Sequence, residues 1–402
     1  MNQDSKLVDP YSWIERSLTT IHKANWYRSP QALEGLPGPV MLLDGEAVLN
    51  FASNDYLGLA GDRELIEMTL AAVEQWGTGS TGSRLITGHR DIHRALEREI
   101  AALKNTEGAI VYSSGYGANI GVLSAIVGPK DLLVGDAYNH SSLISGCKIS
   151  GASFQPYDHG NMVALRDILT AQRSHFRRCA IVTDSVFSMD GDLCPLGEIL
   201  AIAEEFEAMV VIDEAHATGV LGATGAGVVE FLGFTGQPMI QVGPLSKALA
   251  SLGGYVAGSA ALVDFLRNRS ASWIYSTALS PADTAAALAA IDRVKAEPER
   301  RDRLSSIANY LREGLWRVVG PWGDRGFRLL PSDTPIICLQ VPDTATVLTL
   351  GEQLRAGGIF AGAIRPPTVH TSRLRFTVRA DHSRAHCDAV LEVLEKALKT
   401  LG

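Results

Sequence analysis

Between residues 109 and 257 the chain repeats one pattern: a short apolar run rich in β-branched residues, then turn formers, then a stretch with helical periodicity. The runs are Ala109 to Ser113, Leu132 to Val134, Ala180 to Thr183, Met209 to Ile212, Met239 to Val242 and Tyr255 to Ala257. Continuous apolar runs of this length predict strands buried on both faces, and strands alternating with helices predict βα units. The expected fold is α/β, a mainly parallel sheet covered by helices. Ligands of such sheets sit beyond the carboxyl ends of the strands, so the residues just after each run are the ones to read for chemistry.

Before the repeat, residues 1–50 read as an arm. They hold an amphipathic helical signal from Pro10 to Ala24 and a Pro- and Gly-rich loop from Pro30 to Pro39. A strand from Val48 to Ala52 leads into the polar turn Ser53 to Gly58. The large domain spans 51–290. The charged stretch Asp292 to Arg303 is expected to mark a hinge, and 291–402 a smaller α+β domain that closes over the substrate.

Lys247 stands in the small, apolar setting Val242 to Gly258. Desolvation there lowers an amine's pKa and frees its lone pair, which suits a Schiff-base lysine, above all one for pyridoxal phosphate. That cofactor needs an acid at its pyridine nitrogen. The run Val210 to Ile212 ends in Asp213 with His216 three residues on, so a carboxylate and an imidazole meet at the sheet's edge. Asp213 can keep a pyridinium protonated, and His216 can bond a phenolic oxygen. A metal pair is the other reading of Asp and His, but no third ligand stands at a usual spacing. The turn Ser113 to Asn119, with Gly115 and Tyr116, offers backbone N–H groups and a helix N-terminus to a phosphate. Its Gly115-x-Gly117-x-x-x-Gly121 spacing is also close to a dinucleotide fingerprint, which keeps a nicotinamide oxidoreductase as a rival. His140 follows another strand and could lie flat on a cofactor. Ser188, in the turn Thr183 to Asp192, could reach the same ligand.

The formal charge of −8 disfavours a general nucleic-acid surface, which leaves small molecules as the expected partners. The five cysteines lack any CxxC spacing, which disfavours a disulfide framework and a structural zinc site and suits a reducing compartment. No apolar stretch is long enough to span a bilayer, and the expected location is cytoplasmic.

Taken together, Ser53 to Gly58, the Ser114-Gly115-Tyr116 turn, Val186 to Asp192, Asp213 to Gly219, Leu245 to Lys247 and Arg365 to Thr368 resemble the α-oxoamine synthases. The likeness covers nearly the whole chain. Members are pyridoxal-phosphate enzymes of fold type I that condense an amino acid with an acyl thioester and release carbon dioxide. The resemblance therefore implies an aminotransferase-like large domain and a homodimer. Ser53 to Gly58, Tyr275 to Leu279 and Arg365 to Val369 are nearest to the members that join L-alanine to a pimeloyl thioester, carried on coenzyme A or an acyl-carrier protein. A relative using glycine or another acyl-CoA is the alternative, and a non-catalytic partner subunit a more distant one.

The resemblance also implies roles. Lys247 would carry the cofactor, Asp213 pair with its pyridine nitrogen, His216 with its phenolic oxygen, and His140 stack on its ring. Gly115, Tyr116 and Ser188 would line its pocket, and Ser276 and Thr277 would reach the phosphate of the neighbouring subunit. Arg28, His140, Thr368 and Arg375 would meet substrate, with Arg375 clamping the amino acid's carboxylate. Two departures stand out. Pro244 replaces the family's usual threonine three residues before the lysine, removing a hydroxyl. The turn Pro367 to Arg373 is short and carries His370 where a proline is usual.

Overall fold

The computed structural model describes residues 9–401, so the first eight residues of the expected arm lie outside it. Fifteen strands occur among them. Strands β1 (Leu33–Glu34), β2 (Val40–Leu43) and β3 (Glu46–Asn50) come first. The βα repeat supplies β4 (Gly108–Tyr112), β5 (Leu132–Asp136), β6 (Ser153–Tyr157), β7 (Cys179–Asp184), β8 (Met209–Asp213), β9 (Ile240–Pro244) and β10 (Gly254–Gly258). Last come β11 (Arg328–Leu329), β12 (Ile336–Gln340), β13 (Ile359–Phe360), β14 (Gly362–Ile364) and β15 (Arg373–Thr377).

The central sheet has the order β4-β10-β9-β8-β7-β5-β6. Pairings from β6 to β9 are all parallel, as the repeat predicts, and only β10 runs antiparallel to both neighbours. The reason is the short link from Pro244 to Gly254. A parallel return needs a crossover of a dozen or more residues, so this chain must double back. Ala250 at φ 50° and Gly253 at φ 117° make the bend. Lys247 rides on that loop, at the carboxyl end of β9.

Side chains alternate across the sheet into two cores. Val134, Ile181 and Ile212 face one, while Leu133, Val182 and Val211 face the other, all fully buried. Each such residue contributes roughly 1.5–3 kcal/mol by burial. Strand β6 has no counterpart among the predicted runs, because it is half exposed and contains Pro156. Proline is tolerated there because β6 is an edge strand with β5 as its one neighbour.

A second sheet, β11-β12-β15-β14, is antiparallel and is built only of residues after 291. We propose that a smaller α+β unit begins near that point. The arm does not stand apart from it: β3 pairs in parallel with β13, forming a third sheet β1-β2-β3-β13.

The charged stretch Asp292 to Arg303, expected as a hinge, joins two helices. Helices Pro281–Ala296 and Glu299–Val319 meet there at Glu297 and Pro298, and the charges serve as ties. Arg300 donates to Asp62 Oδ2 at 3.0 Å and to the Leu57 carbonyl at 3.2 Å, while Arg293 pairs with Glu297 at 2.6 Å and Glu64 at 3.1 Å. Among the described residues no helix is long and apolar enough to cross a membrane.

Candidate active site

Asp213 and Asp184 close neighbouring parallel strands in register, so two buried carboxylates stand side by side at the carboxyl edge. Asp213 accepts two hydrogen bonds. Its Oδ2 accepts from Asn119 Nδ2 at 2.6 Å and its Oδ1 from the Ala215 N–H at 2.9 Å. Asp184 accepts the His140 N–H at 2.6 Å, and burial together with the charge of Asp213 pushes its pKa well up. Asp184 is thus pushed toward its neutral form, while Asp213 carries two hydrogen-bond donors.

His140 caps the helix Ser141–Ser150, and its Nδ1 lies 2.7 Å from Ser142 Oγ, leaving the ring exposed at the mouth of the site. His216 is buried, with Nδ1 2.6 Å from the hydroxyl of Tyr56. Burial, reinforced by the nearby Lys247, drives its pKa well down. Tyr56 is fully buried and its own pKa is pushed up to about 12, so the phenol keeps its proton and donates. We assign the ring proton of His216 to Nε2, which makes that nitrogen a donor.

Lys247 is partly buried and makes no hydrogen bond or ion pair among the described residues. Burial lowers its pKa; Asp213 and Asp184 oppose that shift, and Arg375 adds to it. Arg375 projects from β15 and is oriented twice, Nε donating to the Ser188 carbonyl at 2.6 Å and Nη2 to Asn54 Oδ1 at 3.2 Å. Lys247, Asp213, His140, His216, Arg375 and the Ser188 turn therefore converge from four strand ends and β15. A cleft of about 440 Å³ opens beside Lys247, lined also by Ser53, Asn54 and Ser246.

Gly115 and Tyr116 start the helix Gly115–Ile126, which Ser114 caps by accepting the Gly117 N–H at 2.9 Å. This helix end comes down directly on the ends of β9 and β10. A Cβ at position 115 would lie 2.8 Å from Pro244 Cβ, and one at position 254 would lie 2.5 Å from Gly115 Cα. Glycine is needed at both places for that approach. The Tyr116 hydroxyl donates to Ser145 Oγ at 2.9 Å. Ser276 and Thr277 follow the exposed Tyr275, and the Thr277 carbonyl accepts from Ser113 Oγ at 2.8 Å in the same chain.

Arg28 and Thr368, 340 positions apart, are brought together: the guanidinium donates to Thr368 Oγ1 at 2.6 Å. Arg365 holds the arm in place through the Asn25 and Tyr27 carbonyls. A smaller hollow of about 140 Å³ lies between Thr368, His370 and Arg373 on one side and Tyr138, Asn139 and Phe187 on the other.

Sequence reasoning did not single out Tyr56, Asn119, Asn54 or Asp184. One signal was available for Asp184, since β5, β7 and β8 each end in aspartate. The others earn their places through contacts that no local pattern reports.

The chain matches the family described as aminotransferase class I and II over residues 46–394. It is 55% identical over 394 residues to a Nostoc punctiforme protein named "Putative 8-amino-7-oxononanoate synthase", covering 98% of each chain. A Cyanothece protein of the same name is 58% identical over 390 residues, covering 97% of this chain and 98% of its own. Among solved structures, a serine palmitoyltransferase from S. paucimobilis with bound PLP superposes with a TM-score of 0.91 at 28% identity, covering 98% of this chain and 99% of that one. An 8-amino-7-oxononanoate synthase from Francisella tularensis superposes with a TM-score of 0.74 at 26% identity, covering 88% of this chain and 98% of that one.

Proposed function

Because this chain belongs to the class I and II aminotransferase family and, within it, to the α-oxoamine synthases, we propose that it condenses L-alanine with a pimeloyl thioester. Carbon dioxide is lost and 8-amino-7-oxononanoate, a biotin precursor, is formed. The enzyme class is a pyridoxal-phosphate-dependent acyltransferase. The observation that carries the substrate reading is identity above one half, across essentially the whole chain, with relatives named for this product.

The residues present fit pyridoxal phosphate. The donor set is a lysine with no partner among the described residues, a buried carboxylate, a buried imidazole whose Nε2 is left to donate, and a capped helix end. Asn119 Oδ1, buried without a partner next to Asp213, marks a polar wall that accommodates a further polar group. Lys247 would hold the cofactor's aldehyde carbon, Asp213 its ring nitrogen, His216 its phenolic oxygen and His140 its ring face. Gly115, Tyr116 and Ser188 would line the pocket. Pyridoxal phosphate, when bound, supplies the sink for electrons left at the amino acid's α carbon as bonds there break.

Around that chemistry the chain's own groups have distinct tasks. Lys247, with its pKa lowered by burial, is an amine that accepts the α proton of alanine at Nζ and can return one. Arg375, already aimed by Asn54 and Ser188, receives the alanine carboxylate on its remaining N–H groups. Asp213, oriented by its two donors, would hold a proton on the group it faces. Arg28 and Thr368 meet the thioester at the outer hollow. The reading includes a homodimer, in which Ser276 and Thr277 reach the phosphate bound by a second copy. It also includes a cytoplasmic location, which the five free, buried cysteines support.

Product analysis tests it. The purified enzyme is offered L-alanine or glycine with acyl thioesters of graded length on coenzyme A or acyl-carrier protein. Alanine and the pimeloyl chain should give the highest kcat/KM. Preference for glycine or another acyl length would replace this assignment with a sister synthase.

A further inference from the structure

The turn Phe187 to Asp192 presents Ser188, whose carbonyl supplies one of the two bonds that aim Arg375. Arg373 holds this turn through the Met189 carbonyl and Asp190, Ser332 and Thr334 hold it through the Gly191 carbonyl, and one ring links it to the end of β5. His159 Nδ1 lies 3.0 Å from Asp136 Oδ1, at the end of β5, and Nε2 lies 2.9 Å from Asp192 Oδ2. Ionised carboxylates only accept, so both ring nitrogens must donate, and only imidazolium does that. The ring cannot swing away: it stacks on Tyr138 at 4.4 Å and meets the edge of Phe187 at 4.4 Å.

The two acids depend on it differently. Asp136 is 1% exposed and also accepts the Tyr138 and Gly160 N–H groups at 2.8 and 2.9 Å. Among the described residues Asp192 has no other side-chain partner, since its Oδ1 is buried and unbonded. Of the remaining charged groups nearby, Asp190 is answered by Arg373, and the His370 ring lies 6.1 Å from that of Tyr138.

We propose that His159 is a positioning residue, a charged strut that ties the end of β5 to the turn 187–192 and so keeps the Ser188 carbonyl against Arg375. Burial works against the charge, but the hydrogen bonds to Asp136 and Asp192 outweigh it and push the ring's pKa up to about 10. The strut therefore stays charged through the neutral range. Its effect on substrate rests on the reading of Arg375 as the carboxylate clamp.

Two measurements on the full-length protein test the proposal. In the first, imidazole ¹⁵N NMR assigns the His159 signals by their loss in His159→Gln and their shift in Asp192→Asn. Both nitrogens should be protonated at pH 8; a neutral ring at that pH overturns the strut even if His159→Gln does not fold. In the second, His159→Gln should raise the KM for alanine about five- to tenfold, with kcat changed less than about twofold and cofactor content unaltered. Asp192→Asn should act alike, and the double variant should be no worse than either single one, because both break the same link. A fall in kcat at constant KM, or effects that multiply, would overturn the link. Arg375→Lys separates the two ideas: if it raises the alanine KM while His159→Gln does not, the clamp stands and the strut falls. If Arg375→Lys leaves that KM unmoved, the clamp reading falls and the NMR result alone decides the strut.

Discussion

The two ends of the central sheet are built from similar parts, strand termini and glycine-containing turns, yet differ in what they can do. The larger hollow, about 650 Å³, lies where β8 and β9 begin and β10 ends, among Glu107, Glu207, Met239 and Gln241. No lysine, arginine or histidine of the described residues lines it. The cleft at Lys247 is smaller, yet the lysine that lines it feels the charges of Asp213, Asp184 and Arg375. The difference follows from strand direction. Parallel strands deliver their carboxyl ends to one edge, where the helices Gly115–Ile126 and Ser141–Ser150 also begin, with unpaired N–H groups and the positive end of the dipole. The opposite edge receives helix C-termini. The candidate catalytic groups therefore collect at one end, and volume is a poor guide to them.

Two lysines sharpen the contrast. Lys104, at the last turn of the helix Asp91–Lys104, is 3% exposed, bonded to the Ala226 carbonyl and 5.6 Å above the Tyr255 ring. Burial lowers its pKa as it does that of Lys247. Only Lys247 lacks a bond to break before it can react.

The largest expected effect breaks or upholds that distinction. Lys247→Ala should lower turnover by at least about 10⁴-fold while the protein stays folded, as loss of a reacting group does. Borohydride reduction of the yellow protein followed by peptide mapping should label Lys247 and leave Lys104 unlabelled. A label on Lys104 would reverse the assignment.

Next in size is Asp213→Asn. It keeps the shape but removes the charge that Asn119 and Ala215 stabilise, and should slow exchange of the alanine α proton by about 10³-fold. Exchange near the parent rate would show that the charge of Asp213 is not used.

A smaller effect concerns the scaffold away from the site. His93 and His382 are buried and satisfied as neutral rings, each accepting a backbone N–H at Nδ1 and facing a carbonyl at Nε2. Burial pushes both down to about 4, from 6.5 when unfolded. The unfolded chain then binds more protons between those values, so stability should rise with pH across the window and be lost as pH falls from about 6.5 to about 4. Urea midpoints at pH 7 and 4.5 measure the slope, and His93→Gln should flatten part of it. A slope unchanged in that variant would place the acid sensitivity elsewhere.

The smallest effect is at Pro244, whose ring sits on Gly115 at the expected phosphate end. Pro244→Thr should slow loss of pyridoxal phosphate on dialysis a few-fold. A hydrogen bond to a charged group contributes roughly 1.5–3 kcal/mol, and added loop freedom offsets part of that. Loss as fast as in the parent would mean that Ser246 or a second copy already supplies the bond.

Much of this site was legible without coordinates. Lys247, Asp213, His216, His140 and Ser188 follow apolar runs, and a parallel sheet sends such positions to one edge whatever else the chain does. Arg28, Thr368 and Arg375 came only through family resemblance, because nothing in their immediate neighbours distinguishes them from surface residues. Strand β6 escaped because exposure and Pro156 erase the buried-strand pattern at an edge. At 292–303 the charges form ties between elements, which charge density alone does not distinguish from a hinge.

By itself, then, the amino-acid order determined the βα repeat and the gathering of the candidate reacting groups at one sheet edge, since each rests on neighbours a few positions away. Tertiary structure decided which groups stand behind them. Tyr56 reaches His216 across 160 positions, Asn119 reaches Asp213 across 94, and Arg375 reaches Asn54 across 321. His159 finds its two acids at distances of 23 and 33 positions, from different turns. Local periodicity sets which face a residue takes on its own element, whereas a partner from another element is set by how the elements pack, and that information is spread over the whole core.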